Sequence, residues 1–293
     1  MNLIEIFQNN RHQISLHFVI FLWGFTGILG RLIQIPSMSI VWWRMSIALA
    51  GLAVFMFLTK RKFKTTPLMA AKYLGIGLVT AAHWIFFFEA LKVSNVSITL
   101  TTLASTSLFV ALFEPFFFKR RIIGYELIFG LITVVGLAII FQAESDYSYG
   151  VILALISAIL AAVFGTVNGI FVKHDRATLI TAYEMIGGIV GISIYTFLFD
   201  IPFVVPTGVD WIWLFILGLI CTSLAFVVSI EVMKSLSPFT VSISINMEPI
   251  YAIIFALILF KEDEYMSPMF YLGAVLVMSM IFFNSYIKRK NRA

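Results

Sequence analysis

The sequence predicts an all-α membrane protein whose ten transmembrane helices form two inverted repeats of five. Composition is the first observation behind this class: 61% of the 293 residues are hydrophobic and 12% are charged, with a mean hydropathy of +1.01. Water-soluble domains carry roughly 45–50% apolar and about 25% charged residues, so a soluble domain is excluded. The second observation is the recurrence of apolar runs near the roughly 20 residues that a helix needs to cross a bilayer. The connections between them are short and leave no room for a further soluble domain. The third is that Lys and Arg crowd into alternate connections.

The runs are Ile14–Ile33, Ser39–Leu58, Ala70–Leu91, Val96–Phe118, Ile122–Phe141, Tyr149–Val172, Thr178–Phe199, Asp210–Met233, Phe239–Phe260 and Ser267–Ile287, here segments 1 to 10. Segment 1 follows MNLIEIFQNNRHQ, which has neither a basic n-region nor a small-residue cleavage site. It is therefore expected to stay as a span. Segment 2 carries Arg44 about six residues in, and segment 3 ends in Glu89-x-x-Lys92. Segment 4 is rich in Ser and Thr (Ser105-Thr106-Ser107), and segment 7 holds Gly187-Gly188-x-x-Gly191, patterns that let helices approach closely. Segment 8 contains the single cysteine, Cys221, read as an inert lipid- or protein-facing thiol, and ends in Glu231-x-x-Lys234. Segment 9 holds Asn246, Glu248 and Pro249 near its middle. None of the runs shows the ten-residue polar and apolar alternation of a membrane β-barrel.

With the N-terminus inside, sixteen Lys and Arg residues fall on the inner side and three (Arg31, Lys92, Lys261) on the outer side. This asymmetry predicts an integral protein of the cytoplasmic (inner) membrane with both termini cytoplasmic. It also accounts for the net charge of +5 without a nucleic-acid partner, since the basic residues do not line one face.

Shifting the first half by 142 residues sets Glu89 on Glu231, Lys92 on Lys234, Ser107 on Pro249, Phe113 on Phe255 and Lys119 on Lys261. A shift of 141 pairs Trp23-Gly24 with Phe164-Gly165, and a shift of 140 pairs Trp43-Arg44 with Tyr183-Glu184. A rival match of Glu114-Pro115 with Glu248-Pro249 fails, because the next basic residue then follows at incompatible distances. The repeats are residues 1–142 and 143–293, together one membrane domain. Five spans per unit is odd, so the copies cross in opposite directions, the arrangement that supports alternating access.

Trp23-Gly24, Arg44, Ala90-Leu91 and MEPIYAIIFALILFKE from Met247 to Glu262, followed by Gly273, resemble the EamA branch of the drug/metabolite transporter superfamily. That resemblance implies a central cavity between the repeats and export of amino acids or other metabolites. Two departures stand out. Ser107 occupies a position where the family's first repeat often has Pro, and Arg120 one where a counterpart of Glu262 is expected.

An ionisable group in the bilayer core needs a partner or a watery cavity, which selects the candidates. Arg44, about 9 Å deep at 1.5 Å per residue, offers a planar fork to a carboxylate or phosphate. Glu184, at similar depth from the other side, offers a seat to an ammonium group or a proton. The alternative for both is an internal salt bridge. Asn246 and Glu248 sit where Pro249 frees a backbone carbonyl, a break tolerated beside protein or a cavity. His83 and Trp84 supply a titrating group and a stacking surface, and Trp23, Trp43, Tyr183 and Tyr251 are candidates for aromatic lining. Glu89 and Glu231 read either as gate or proton-coupling carboxylates, or as helix-end partners of the Lys three residues on. Proton coupling is expected through Glu89, Glu184, Glu231 or Glu248. Glu114 and Glu126 are expected to pair with the Lys119–Arg121 cluster.

Metalloprotease, zinc-cluster, nucleophile-elbow and P-loop spacings are missing, so neither catalysis nor a metal or cofactor is expected. The sequence predicts a secondary transporter, an exporter of small polar or amphipathic metabolites such as amino acids. A lipid or polyisoprenoid-phosphate flippase is the alternative. The expected partners are a small-molecule substrate and the lipid bilayer, with monomer and homodimer both open.

Overall fold

The computed structural model describes residues 3–121 and 123–290, with side chains from residue 10 onward except at 262, 278, 280–282 and 284–290. Ile122, Arg292 and the side chains of Glu262, Lys288, Arg289 and Lys290 therefore lie outside the described residues. Every element among those residues is helical. Among the described residues, nine stretches are long and apolar enough to cross a membrane, with Pro268–Val277 as a shorter apolar stretch.

Segment 1 is α1 (Leu3–Leu32), which begins well before the apolar run; Pro36 then precedes α2 (Ser37–Leu58). Segment 3 is α3 (Pro67–Val93), started by Pro67 in the first turn and by the Thr66 hydroxyl, which accepts from the Met69 amide. Segment 4 breaks into α4 (Val96–Leu103) and α5 (Thr106–Phe118). Then come α6 (Gly124–Ala143), α7 (Ser148–Phe171) and α8 (Ala177–Leu198). Segment 8 is not one regular helix. It runs as α9 (Asp210–Phe215), a π-helical stretch Ile216–Leu224, and α10 (Ala225–Val232). Segment 9 breaks into α11 (Pro238–Ile245) and α12 (Glu248–Phe260), and α13 (Pro268–Lys290) closes the chain.

The break in segment 9 follows from Pro249, whose ring carries no amide hydrogen for the Ile245 carbonyl. Segment 4 breaks without proline, at the residues 142 positions earlier. There the Thr106 hydroxyl donates to the Leu103 carbonyl (2.7 Å) and the Ser107 hydroxyl to the Ala104 carbonyl (3.1 Å). The Thr106 hydroxyl thus satisfies the Leu103 carbonyl, the counterpart of the Ile245 carbonyl that Pro249 leaves without an amide.

The inverted repeat is visible in the packing. Segment 1 lies on segment 9 and segment 6 on segment 4; α2 packs on segment 8 and α8 on α3; α6 pairs with α13 at the periphery. α2 and α8 have the same length of 22 residues and start 140 positions apart. Lys60 and Asp200 follow them, both with left-handed φ of 52° and 48°. Polar contacts stay sorted by membrane face. Arg31 meets Asp263 and Glu264 on one face, whereas on the other Tyr73 meets Asp175 and His12 meets Ser235.

α3 and α8 touch backbone to backbone. A Cβ at Gly77 would strike the Glu184 carbonyl, and one at Gly187 the Leu74 carbonyl, whereas one at Gly75 would meet open space. Such small-residue seams let membrane helices gain close packing where no hydrophobic drive exists between them. Gly187→Ala is expected to lower stability by about 1–3 kcal/mol, the usual cost of overpacking, and Gly75→Ala by less than about 0.5 kcal/mol. Thermal unfolding of the purified variants in detergent checks the difference.

Candidate functional site

A cavity with about 120 Å³ of room for the centres of water-sized molecules opens between the repeats. Among the described residues, segments 1, 2, 3 and 4 of the first repeat and 6, 8 and 9 of the second line it. Lining residues occur in pairs 142 positions apart: Trp84 and Phe226, Phe87 and Ser229, Leu100 and Ser242, Ala104 and Asn246, Thr106 and Glu248. The first repeat places apolar groups at several positions where the second places polar ones. A symmetric backbone therefore encloses a chemically lopsided pocket.

Arg44 is its cation. The side chain is 1% exposed, with its guanidinium carbon 4.0 Å from the centre of the Trp84 ring, a cation–π contact that offsets part of the cost of burial. Nε donates to the Thr222 hydroxyl at 2.5 Å, and Nη1 is buried with no hydrogen-bond partner. The π-helical stretch makes this possible, since the Thr222 hydroxyl itself donates to the Leu217 carbonyl five residues back (2.7 Å). One residue earlier, the Cys221 carbonyl accepts from the Trp23 indole at 2.9 Å, so Trp23 shows its ring to the cavity while its N–H is occupied. π-helical features of this kind recur at functional sites.

Glu248 is its carboxyl group. It is 5% exposed at the first position of α12, where the helix dipole favours negative charge. Among the described residues it joins no ion pair, and Arg44 joins none either. The two opposite charges face one cavity unpaired. Next to Glu248, the Asn246 amide donates to the Ser107 hydroxyl (3.2 Å) and so ties the two helix breaks together across the repeats. His83 is fixed by Nδ1, 2.9 Å from the Ser157 carbonyl oxygen; with that N–H given away, Nε2 is left as an acceptor.

The structure thus gathers Trp23, Arg44, His83, Trp84, Asn246 and Glu248 around one space. It does not bring Tyr183, Glu184 or Tyr251 there, which corrects the sequence expectation. Tyr183 stacks on Phe63 at 4.7 Å. Tyr251 is held against α1, where its Cβ lies 3.1 Å from the place a Gly24 Cβ would take. Glu184 occupies, 140 positions on, the place of Arg44, and its neighbour Thr80 stands 142 positions before Thr222. Its shorter side chain ends in the seam of α3, α7 and α8 instead of reaching the cavity. Trp43 also stays at a helix end, its indole donating to the Val204 carbonyl (3.1 Å). Glu89 is partly buried and outside the cavity lining. Glu231 is half exposed and bonds Lys234 at 2.6 Å; Lys92, the counterpart of Lys234, instead donates to the Ile35 carbonyl.

Two further carboxylates hold the half-helices. Glu264, fully buried, accepts from the Val96 and Ser97 amides (3.0 and 2.9 Å) and the Ser97 hydroxyl (2.7 Å) at the start of α4, and pairs with Arg31 at 2.7 Å. On the opposite face Glu114 accepts from the Phe239 amide at the start of α11 (2.6 Å) and from Arg120 (3.2 Å). Arg120 also pairs with Glu126 at 2.7 Å. Burial works against the Arg120 charge, but Glu126 and Glu114 outweigh it and raise its pKa. The Arg120 departure noted in the sequence thus serves this clamp, and the expected pairing of Glu114 and Glu126 with the cluster is made through Arg120. The capping role went unread because each acid reaches an amide more than a hundred residues away.

The model of the EamA-like transporter family matches residues 14–142 and again 148–286. The chain belongs to the EamA-like transporter family. It is 22% identical over 280 residues to an uncharacterized transporter, YxxF, of Bacillus subtilis, covering 92% of this chain and 88% of that one. An uncharacterized transporter of Archaeoglobus fulgidus is 26% identical over 190 residues, 64% of this chain and 67% of that one. A solved crystal structure superposes with a TM-score of 0.73 over 97% of this chain and 99% of the other at 15% identity, a likeness of fold. As an EamA-like protein the chain is an integral membrane transporter with ten helices in two inverted repeats.

The clamps have different weights. Glu264→Gln leaves buried amides with poorer acceptors and is expected to destabilise the protein by about 2–3 kcal/mol. Glu231→Gln breaks an exposed pair and is expected to cost less than about 1 kcal/mol. Denaturant unfolding of both variants in detergent measures the contrast.

Proposed function

We propose that this transporter carries small zwitterionic metabolites by alternating access, amino acids with apolar side chains foremost, and in the direction of export. One observation supports the substrate class above all: a buried cation and a buried carboxylate face the same apolar cavity without pairing. A zwitterion satisfies both, its carboxylate on the Arg44 fork and its ammonium on Glu248, while Trp84, Phe87, Phe164 and Phe226 meet the side chain. A polyisoprenoid-phosphate carrier fits this charge pair less well, since Glu248 repels a phosphate.

The basic face of the protein is placed in the cytoplasm on this reading, with the repeats acting as two rocking units, residues 1–142 and 143–293, in the inner membrane. The breaks at Ala104–Ser105 and Asn246–Met247 are the hinges, joined by the Asn246–Ser107 bond.

Counterflow of radiolabelled leucine into proteoliposomes preloaded with unlabelled leucine tests the reading. Wild type is expected to show saturable uptake. Arg44→Lys keeps the charge and removes the fork, and is expected to raise the half-saturation concentration about tenfold, or about 1.4 kcal/mol. Glu248→Gln is expected to do the same. Absence of saturable uptake for leucine and the other amino acids, or wild-type behaviour of both variants, contradicts it.

A further inference from the structure

Outside the cavity, the seam of α3, α7 and α8 holds a second cluster of polar groups. Glu184 is 0% exposed, and neither carboxylate oxygen has a hydrogen-bond partner. The polar groups facing it are Thr80 of α3 and Asn168 of α7. Asn168 is 1% exposed, and both its Oδ1 and Nδ2 are equally unpartnered. Thr80 already donates its hydroxyl to the Ile76 carbonyl (3.0 Å) and retains lone pairs only. Among the described residues no charged side chain bears on Glu184 from α3 or α7, nor from α2 or α10, which also pack against α8, and Tyr73 lies within electrostatic reach.

An ionised carboxylate in such surroundings is costly, and buried charges are normally paired or neutralised. Yet Asn168 brings one unpartnered donor and one unpartnered acceptor. A carboxylate can use only the donor. A carboxylic acid uses both, giving its O–H to Oδ1 and accepting from Nδ2. The α3–α8 seam is closed backbone to backbone at Gly77 against Glu184 itself, a space that suits a proton better than a coordinated metal ion.

We propose that Glu184, with Asn168, is a proton-binding site separate from the substrate cavity and is the site at which the transporter takes its coupling proton. This holds whatever the cavity carries. The route to it runs from the basic face. The Tyr73 hydroxyl donates to Asp175 at 2.7 Å and the Thr65 hydroxyl to the same oxygen at 2.8 Å. A proton arriving from that face first protonates Asp175. Tyr73, hydrogen-bonded to Asp175 and within electrostatic reach of Glu184, links the two acids on this route.

Infrared difference spectroscopy of the purified protein, with no substrate present, reads the site directly. At neutral pH wild type is expected to show the carbonyl stretch of a protonated carboxyl group that shifts in deuterated water. Glu184→Gln is expected to lose that component, and Glu248→Gln to retain it. Should Glu184→Gln not fold, Asn168→Ala is expected to shift the same component, because the acid loses its amide partner. Tyr73→Phe is expected to slow deuterium exchange of the group several-fold. A Glu184→Gln spectrum that keeps the full component overturns the proposal. Loss of the component on adding sodium chloride at fixed pH does so as well, because it makes Glu184 a sodium ligand. The readout needs no amino acid, so a failure of the leucine experiment leaves it unaffected, and its own failure leaves the cavity reading standing.

Discussion

A bilayer core supplies no water to a backbone group that lacks a partner, and the two broken helices at the centre of this protein are built under that constraint. Segments 4 and 9 each stop and restart beside the cavity. Side chains supply partners at the break in segment 4, where the Thr106 and Ser107 hydroxyls serve carbonyls, and at the starts of α4 and α11, where the Glu264 and Glu114 carboxylates accept from amides. Each acid comes from the other repeat, the first from the loop after segment 9 and the second from segment 4. The half-helices are therefore held by cross-repeat hydrogen bonds instead of by their own chain continuity, which is the property a hinged transporter needs.

Symmetry of backbone and asymmetry of chemistry coexist here. Arg44 faces Thr222 and Glu184 faces Thr80 at equivalent places in the two repeats. The longer side chain passes over Trp84 into the cavity, and the shorter one remains in the seam. Duplication thus yields one charge in each of two different places, a cation for the cavity and an acid outside it. The carboxylate that faces Arg44 across the cavity is supplied instead by Glu248, which replaces Thr106 of the first repeat.

Much of the fold was legible because it rests on length and periodic spacing. Ten apolar runs, the shifts of 140 and 142, and the break at Pro249 all follow from residue type. The break in segment 4 was not, because Ser and Thr in a membrane helix signal packing as readily as interruption. The π-helical stretch carries no compositional mark, since apolar residues suit either helix. Depth picked out Arg44, Glu184 and Glu248 together, but depth along a helix does not say which way a side chain of given length turns. Tyr183 and Tyr251 failed for the same reason, as rings are equally at home against Phe63 or Gly24. Glu264 could not be found from sequence, because its value lies in amides roughly 170 positions away.

The central claim is that Arg44 and Glu248 read the two charges of one ligand. Equilibrium binding of leucine, leucinamide and 4-methylpentanoate to the purified protein separates those charges, because the amide keeps only the ammonium and the acid only the carboxylate. Leucine is expected to bind at least about tenfold more tightly than either analogue, since each analogue leaves one buried charge unanswered. Equal affinity of the three compounds contradicts the account.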